Sequence, residues 1–72
     1  MTEKQMREFV DAGLVQEADF DLLKSIMINV DYDNMQARRF AYWTFCYHTG
    51  DITCEEYQNA EIYQDARKNG WI

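Results

Sequence analysis

Apolar positions along the chain fall into helical stripes separated by short polar breaks. Met6, Phe9 and Val10 share one face of a first helix, with Lys4, Arg7, Glu8 and Asp11 opposite. Thr2 followed by Gln5 has the spacing of a capping box and sets its start. Gly13 ends it, and Leu14 and Val15 are expected to fold back on the completed turn. Phe20, Leu23, Ile26, Met27 and Val30 then keep the 3.6-residue period. They predict a second helix from about Gln16–Asp19 to about Val30.

Asp31-Tyr32-Asp33-Asn34 reads as a linker whose Asp33 or Asn34 caps a third helix, Met35 to Thr49. Phe40, Ala41, Tyr42, Trp43, Phe45, Cys46 and Tyr47 leave that helix little polar surface, which places it at the centre of the fold. Thr53 and Glu56 form a second capping box and open a fourth helix to about Asn69. Its pattern is weak, with Tyr57, Ala60 and Tyr63 on one side and Ile62 and Ala66 on the other. One side is expected to meet the third helix, leaving a tyrosine or Ile62 exposed. Gly70 closes the helix, and Trp71-Ile72 is expected to tuck against its last turn.

The same punctuation recurs. Gly13-Leu14-Val15 and Gly50-Asp51-Ile52 each place a β-branched residue two positions after Gly, and Gly70-Trp71-Ile72 repeats the signal. This predicts a helix ending at Gly, a short turn and a new element; convergence on a common turn accounts for it more simply than duplication. The expected fold is all-α, a small single domain of four short helices arranged as two helical hairpins.

Composition agrees with a folded chain: 72 residues without proline are 47% hydrophobic and 15% aromatic, far above what disorder carries at this charge. No apolar run is long enough to cross a bilayer, and Thr2 to Glu8 lacks the apolar core of a signal peptide, so a cytoplasmic location is expected. Cys46 and Cys54 flank the Gly50 turn and are expected as reduced thiols in that setting.

Net charge is −6, unevenly spread. Glu8 to Asp33 holds seven acids against Lys24 alone, and Asp51 to Asp65 holds five acids and no base. Such a surface repels nucleic acid and anionic membranes, whose phosphates call for clustered Lys and Arg. Acids at Glu17, Asp19 and Asp21 also suit the start of the second helix, where the dipole favours negative charge.

Candidate chemistry is thin. Gly50 to Glu56 is similar to the second half of an EF-hand calcium loop, but Phe45, Tyr47 and Thr49 stand where the first half needs oxygen ligands. Cys46, His48 and Cys54 are the only soft metal ligands, and two residues along a helix turn Cys46 and His48 about 160° apart. That angle also disfavours a thiolate–imidazole pair, and Ser25 has no histidine nearby. No enzyme, metal or cofactor is expected.

Two surfaces suit a protein partner. One is acidic, Asp19, Asp21, Asp51, Glu55, Glu61 and Asp65, for which a solvated, solubilising face is the plainer reading. The other is an aromatic and arginine patch of Arg38, Arg39 and Tyr42 with Trp43, residue types that dominate interface hot spots. Local packing and internal salt bridges are the alternative, and an arginine can make a cation–π contact to the aromatic one turn later. The expected function is a small acidic protein-binding module, an inhibitor or modulator of a basic nucleic-acid-handling protein. Its carboxylates would imitate phosphates, as in small phage-encoded inhibitors of host defence or transcription. Self-association as a structural or assembly protein is the second reading. A small DNA-binding regulator is the third, opposed by the charge.

Overall fold

A computed structural model describes all of residues 1–72. The fold is all-α, with five helices: α1 (Glu3–Asp11), α2 (Phe20–Met27), α3 (Met35–His48), α4 (Cys54–Asn59) and α5 (Glu61–Lys68). A 3-10 turn, Glu17–Asp19, leads into α2.

The repeated glycine signal is a repeated helix stop. At Gly13 (φ 78°) the Leu14 N–H donates to Phe9 O at 3.0 Å and the Gly13 N–H to Val10 O at 3.0 Å. At Gly50 (φ 84°) Asp51 donates to Cys46 O and Gly50 to Tyr47 O. Both are Schellman caps, in which the left-handed glycine lets the chain turn back and satisfy carbonyls that the helix leaves without donors. Both capping boxes form as read, Thr2 with Gln5 and Thr53 with Glu56. Asn34, not Asp33, caps α3 by accepting from Ala37 N.

α3 lies at the centre, in contact with α2, α4 and α5. The main core is Met6, Val15, Phe20, Leu23, Met27, Ala41 and Phe45, with Leu23 and Met27 fully enclosed. Val15 folds inward as expected, whereas Leu14 is 54% exposed. Trp71 rests on Phe40 with centroids 6.4 Å apart, but Ile72 points outward at 59% exposure.

α2 stops at Met27, a turn short of Val30. Here the α-amino group of Met1 donates to Met27 O, Ile28 O and Val30 O, carbonyls at and just past the helix end.

The larger departure is the expected fourth helix, which breaks at Ala60 (φ −71°, ψ 144°) into α4 and α5. Neither Gly nor Pro causes it. Nine residues separate Tyr57 from Ala66, which places them about 180° apart on a straight helix. Tyr57 nevertheless stacks on Tyr47 and Phe40 of α3, and Ala66 is fully buried where α5 packs on the same helix. A straight helix would also hold Tyr57 and Trp71 about 21 Å apart along its axis, yet both rings lie against Phe40, at 6.1 and 6.4 Å. Only a bend lets both apolar faces reach α3. The Ala60 carbonyl accepts from Tyr63 N and Gln64 N, and Gln64 Nε2 reaches back to Gln58 O, so the elbow is held by its own hydrogen bonds.

Candidate partner-binding surface

The bend gives α3 a groove. Phe9 of α1, Arg38, Arg39, Tyr42 and Trp43 of α3, and Ala60, Glu61 and Ile62 at the elbow enclose about 450 Å³. All three members of the expected aromatic and arginine patch thus line one depression, with Tyr42 and Arg38 anchored and Arg39 exposed.

Tyr42 is the most constrained. Its ring lies between Phe9 (5.9 Å) and Phe45 (6.0 Å), and its hydroxyl donates to Leu14 O at 3.1 Å. Burial, with the neighbouring Cys46 adding to it, pushes the phenol above its ordinary pKa and keeps it a donor. Trp43 is pinned from the other side, its indole Nε1 donating to Tyr57 O at 3.2 Å.

Neither arginine makes a cation–π contact with the aromatic one turn later. Arg38 instead lies over Tyr32, 4.7 Å from the ring centroid, and donates to Tyr32 O at 3.2 Å. The Tyr32 hydroxyl in turn donates to Glu8 Oε2 at 3.0 Å, so the linker joins Arg38 to α1. Arg39 is exposed, and with Glu61, Ile62 and Asp65 it lines an adjoining cleft of about 200 Å³. The molecule's two ion pairs lie elsewhere, Arg7–Glu17 and Lys24–Glu3.

The six acids expected to form partner-binding faces are divided. Asp19 and Asp51 come together from the two glycine turns and share a polar cleft of about 330 Å³. The Thr49 hydroxyl lies 3.2 Å from Asp51 Oδ2. Glu61 and Asp65 flank Arg39 on the other cleft. Asp21 and Glu55 stand exposed on the first turns of α2 and α4. None of the six enters an ion pair.

The residues weighed for chemistry have structural partners. Glu56 Oε1 accepts from Thr53 N, so the stretch similar to a calcium loop spends a carboxylate on its own backbone, and in the linker Asp31 Oδ1 accepts from Asp33 N. No three His, Cys, Asp or Glu side chains gather as a metal set. Cys46 and Cys54 are both free; burial raises the Cys46 thiol above its ordinary pKa, which lowers its thiolate fraction. Ser25 Oγ donates to Leu22 O within its own helix.

Three groove features were not legible as site residues in the sequence. Phe9 reads as ordinary core, Tyr32 as linker, and Ile62 acquires its place only through the elbow. No helix is long and apolar enough to cross a membrane. No family model, curated protein or solved structure matches the chain.

Proposed function

We propose that this chain is a small, non-enzymatic protein-binding module that engages a basic partner, a nucleic-acid-handling protein, and inhibits or modulates it. The observation that carries the reading is that Asp19, Asp21, Asp51, Glu55, Glu61 and Asp65 all stay clear of ion pairs on a molecule of net charge −6. Carboxylates left uncompensated at the surface raise the local concentration of cations and speed encounter with a basic face. The aromatic groove beside Glu61 supplies the short-range part, since half-buried Trp and Tyr give contact area at low entropic cost. Its occupant is an apolar segment of the same basic partner. A second copy of this chain is disfavoured there by the repulsion of two −6 molecules.

The test is capture of a partner on chain immobilised through its C-terminus, leaving Met1 free, followed by elution in salt steps. Recovery of a basic nucleic-acid-handling protein at moderate salt supports the reading. Changing Asp51, Glu55, Glu61 and Asp65 together to their amides is then expected to weaken binding about tenfold or more and to flatten its salt dependence. Unchanged affinity in that variant removes the phosphate-mimic mechanism.

A further inference from the structure

The groove beside the elbow is the middle of a longer trough. Phe9 and Arg38 line both the groove and a hollow of about 270 Å³ whose other walls are Glu8, Leu14 and Tyr32. At the opposite side Arg39, Glu61 and Ile62 line both the groove and the cleft that reaches Asp65. Three depressions therefore run together across α1, α3 and the start of α5. Exposed Leu14 and half-buried Phe9, Trp43 and Ile62 give this trough an apolar floor. A contiguous apolar strip with a charged rim marks a contact surface.

Charge is ordered along the trough. The cleft at the α5 end holds two carboxylates, Glu61 and Asp65, against Arg39 alone, and neither enters an ion pair. The middle holds two guanidinium groups, Arg38 and Arg39, against Glu61 alone. The far hollow is balanced, with Glu8 against Arg38, and Arg38 is held there over the Tyr32 ring. A cation is therefore favoured at the α5 end and opposed in the middle, where like charges face each other.

We propose that the trough docks an apolar segment of the basic partner in one orientation. The segment's lysine or arginine cluster lies over Glu61 and Asp65, and its apolar side chains lie over Trp43, Phe9 and Leu14. This rests on the partner reading above and adds a direction to it. The apolar floor supplies affinity, while exposed charges set register and contribute less to binding strength.

The test titrates three synthetic peptides into isotope-labelled chain, followed by NMR. One has an aliphatic stretch with lysines clustered at one end, one has the same residues with the lysines in the middle, and one has glutamates for the lysines. The end-clustered peptide is expected to bind at least about tenfold tighter than the other two and to shift the Trp43 indole and Ile62 amide signals. A nitroxide on its lysine end should broaden Ile62 and Asp65, and one on its aliphatic end Leu14 and Tyr32. Equal affinity of the lysine-middle peptide, tighter binding of the glutamate peptide, or broadening in the reverse order overturns the proposal.

Ile62→Glu adds a negative charge and removes apolar floor. Attraction by charge alone would then strengthen binding of the end-clustered peptide, whereas the docked segment loses about tenfold. Leu14→Ser, at an exposed site, gives the second reading of the floor should the Ile62 change disturb the elbow. Salt-step capture of a basic partner without any peptide preference removes this inference and leaves the partner reading. The peptide preference without capture supports the trough's direction and removes the partner reading.

Discussion

The two ends of the chain pack on the same central helix by different means. Residues 1–34 bring enclosed and mostly aliphatic bulk: Met6, Val15, Leu23 and Met27, with the Phe20 ring, make up five of the seven main core residues. Residues 50–72 bring one fully buried side chain, Ala66, and otherwise lay aromatic faces against α3. Tyr57 is the hub of that half, stacked on Tyr47 (4.7 Å), edge-on to Tyr63 (5.1 Å) and 2.9 Å from the Thr44 hydroxyl. Truncating a fully enclosed side chain leaves a cavity, whereas a ring that keeps one edge in solvent leaves a site that water can fill. The comparison teaches that the first half supplies stability, while the second shapes a surface and leaves it open.

The largest effect should come from emptying the aliphatic side. Leu23→Ala, at a fully enclosed site, is expected to cost about 2–5 kcal/mol in denaturant unfolding, with the cavity adding to the lost transfer energy. Tyr57→Phe keeps the stacking and removes only the hydroxyl beside Thr44, so about 0.5–1.5 kcal/mol is expected. Equal losses from the two variants would erase the contrast between the halves. Native-state amide exchange sharpens it further, with α4 and α5 opening at lower free energy than α2.

The elbow has a test whose sign is decisive. Glu61 is the first residue of α5, and Ala60 before it is extended at ψ 144°. Proline suits the first helical position, and an extended residue before it avoids a clash. Glu61→Pro is expected to be neutral or to stabilise by about 0.4–1 kcal/mol. In an unbroken helix from Thr53 to Asn69 the same change would cost about 3 kcal/mol or more.

The smallest effect concerns the exposed pair Arg7–Glu17. Hydrogen bonding from Arg7 holds the Glu17 carboxyl below its ordinary pKa of 4.5. A carboxylate held low stabilises the fold above its unfolded pKa, and that contribution is lost as pH falls through the folded value. Glu17→Gln should therefore lower Tm slightly at neutral pH and leave it unchanged once Glu17 is protonated in both the folded and the unfolded chain. Arg7 also covers Phe20, 4.1 Å from the ring centroid, so Arg7→Ala is expected to cost more than Glu17→Gln.

Much of the fold was legible because its signals are local. A capping box spans four residues, a Schellman stop six, and the stripe of α2 repeats every three or four, so Thr2, Gly13, Leu23, Gly50 and Thr53 could be placed from near neighbours alone. The aromatic richness of α3 likewise announced a central element. The residues named for the groove, Arg38, Arg39 and Tyr42, were found through their types, but their partners were not. Tyr32 and Leu14 lie in turns, 6 and 28 residues away from the arginine and tyrosine they meet.

Two features belonged to the tertiary structure. The pattern from Thr53 to Asn69 offered two apolar sides and no breaker, and only the demand that Tyr57 and Ala66 both reach α3 decided that the chain bends at Ala60. The seat of Tyr42 was decided across 28 residues, its hydroxyl donating to Leu14 O in a turn that no pattern on α3 marks. Local spacing determines where helices start and stop, because caps satisfy nearby backbone groups. Which faces meet, and which carbonyls a distant side chain claims, depends on the packing of elements that periodicity along one segment does not record.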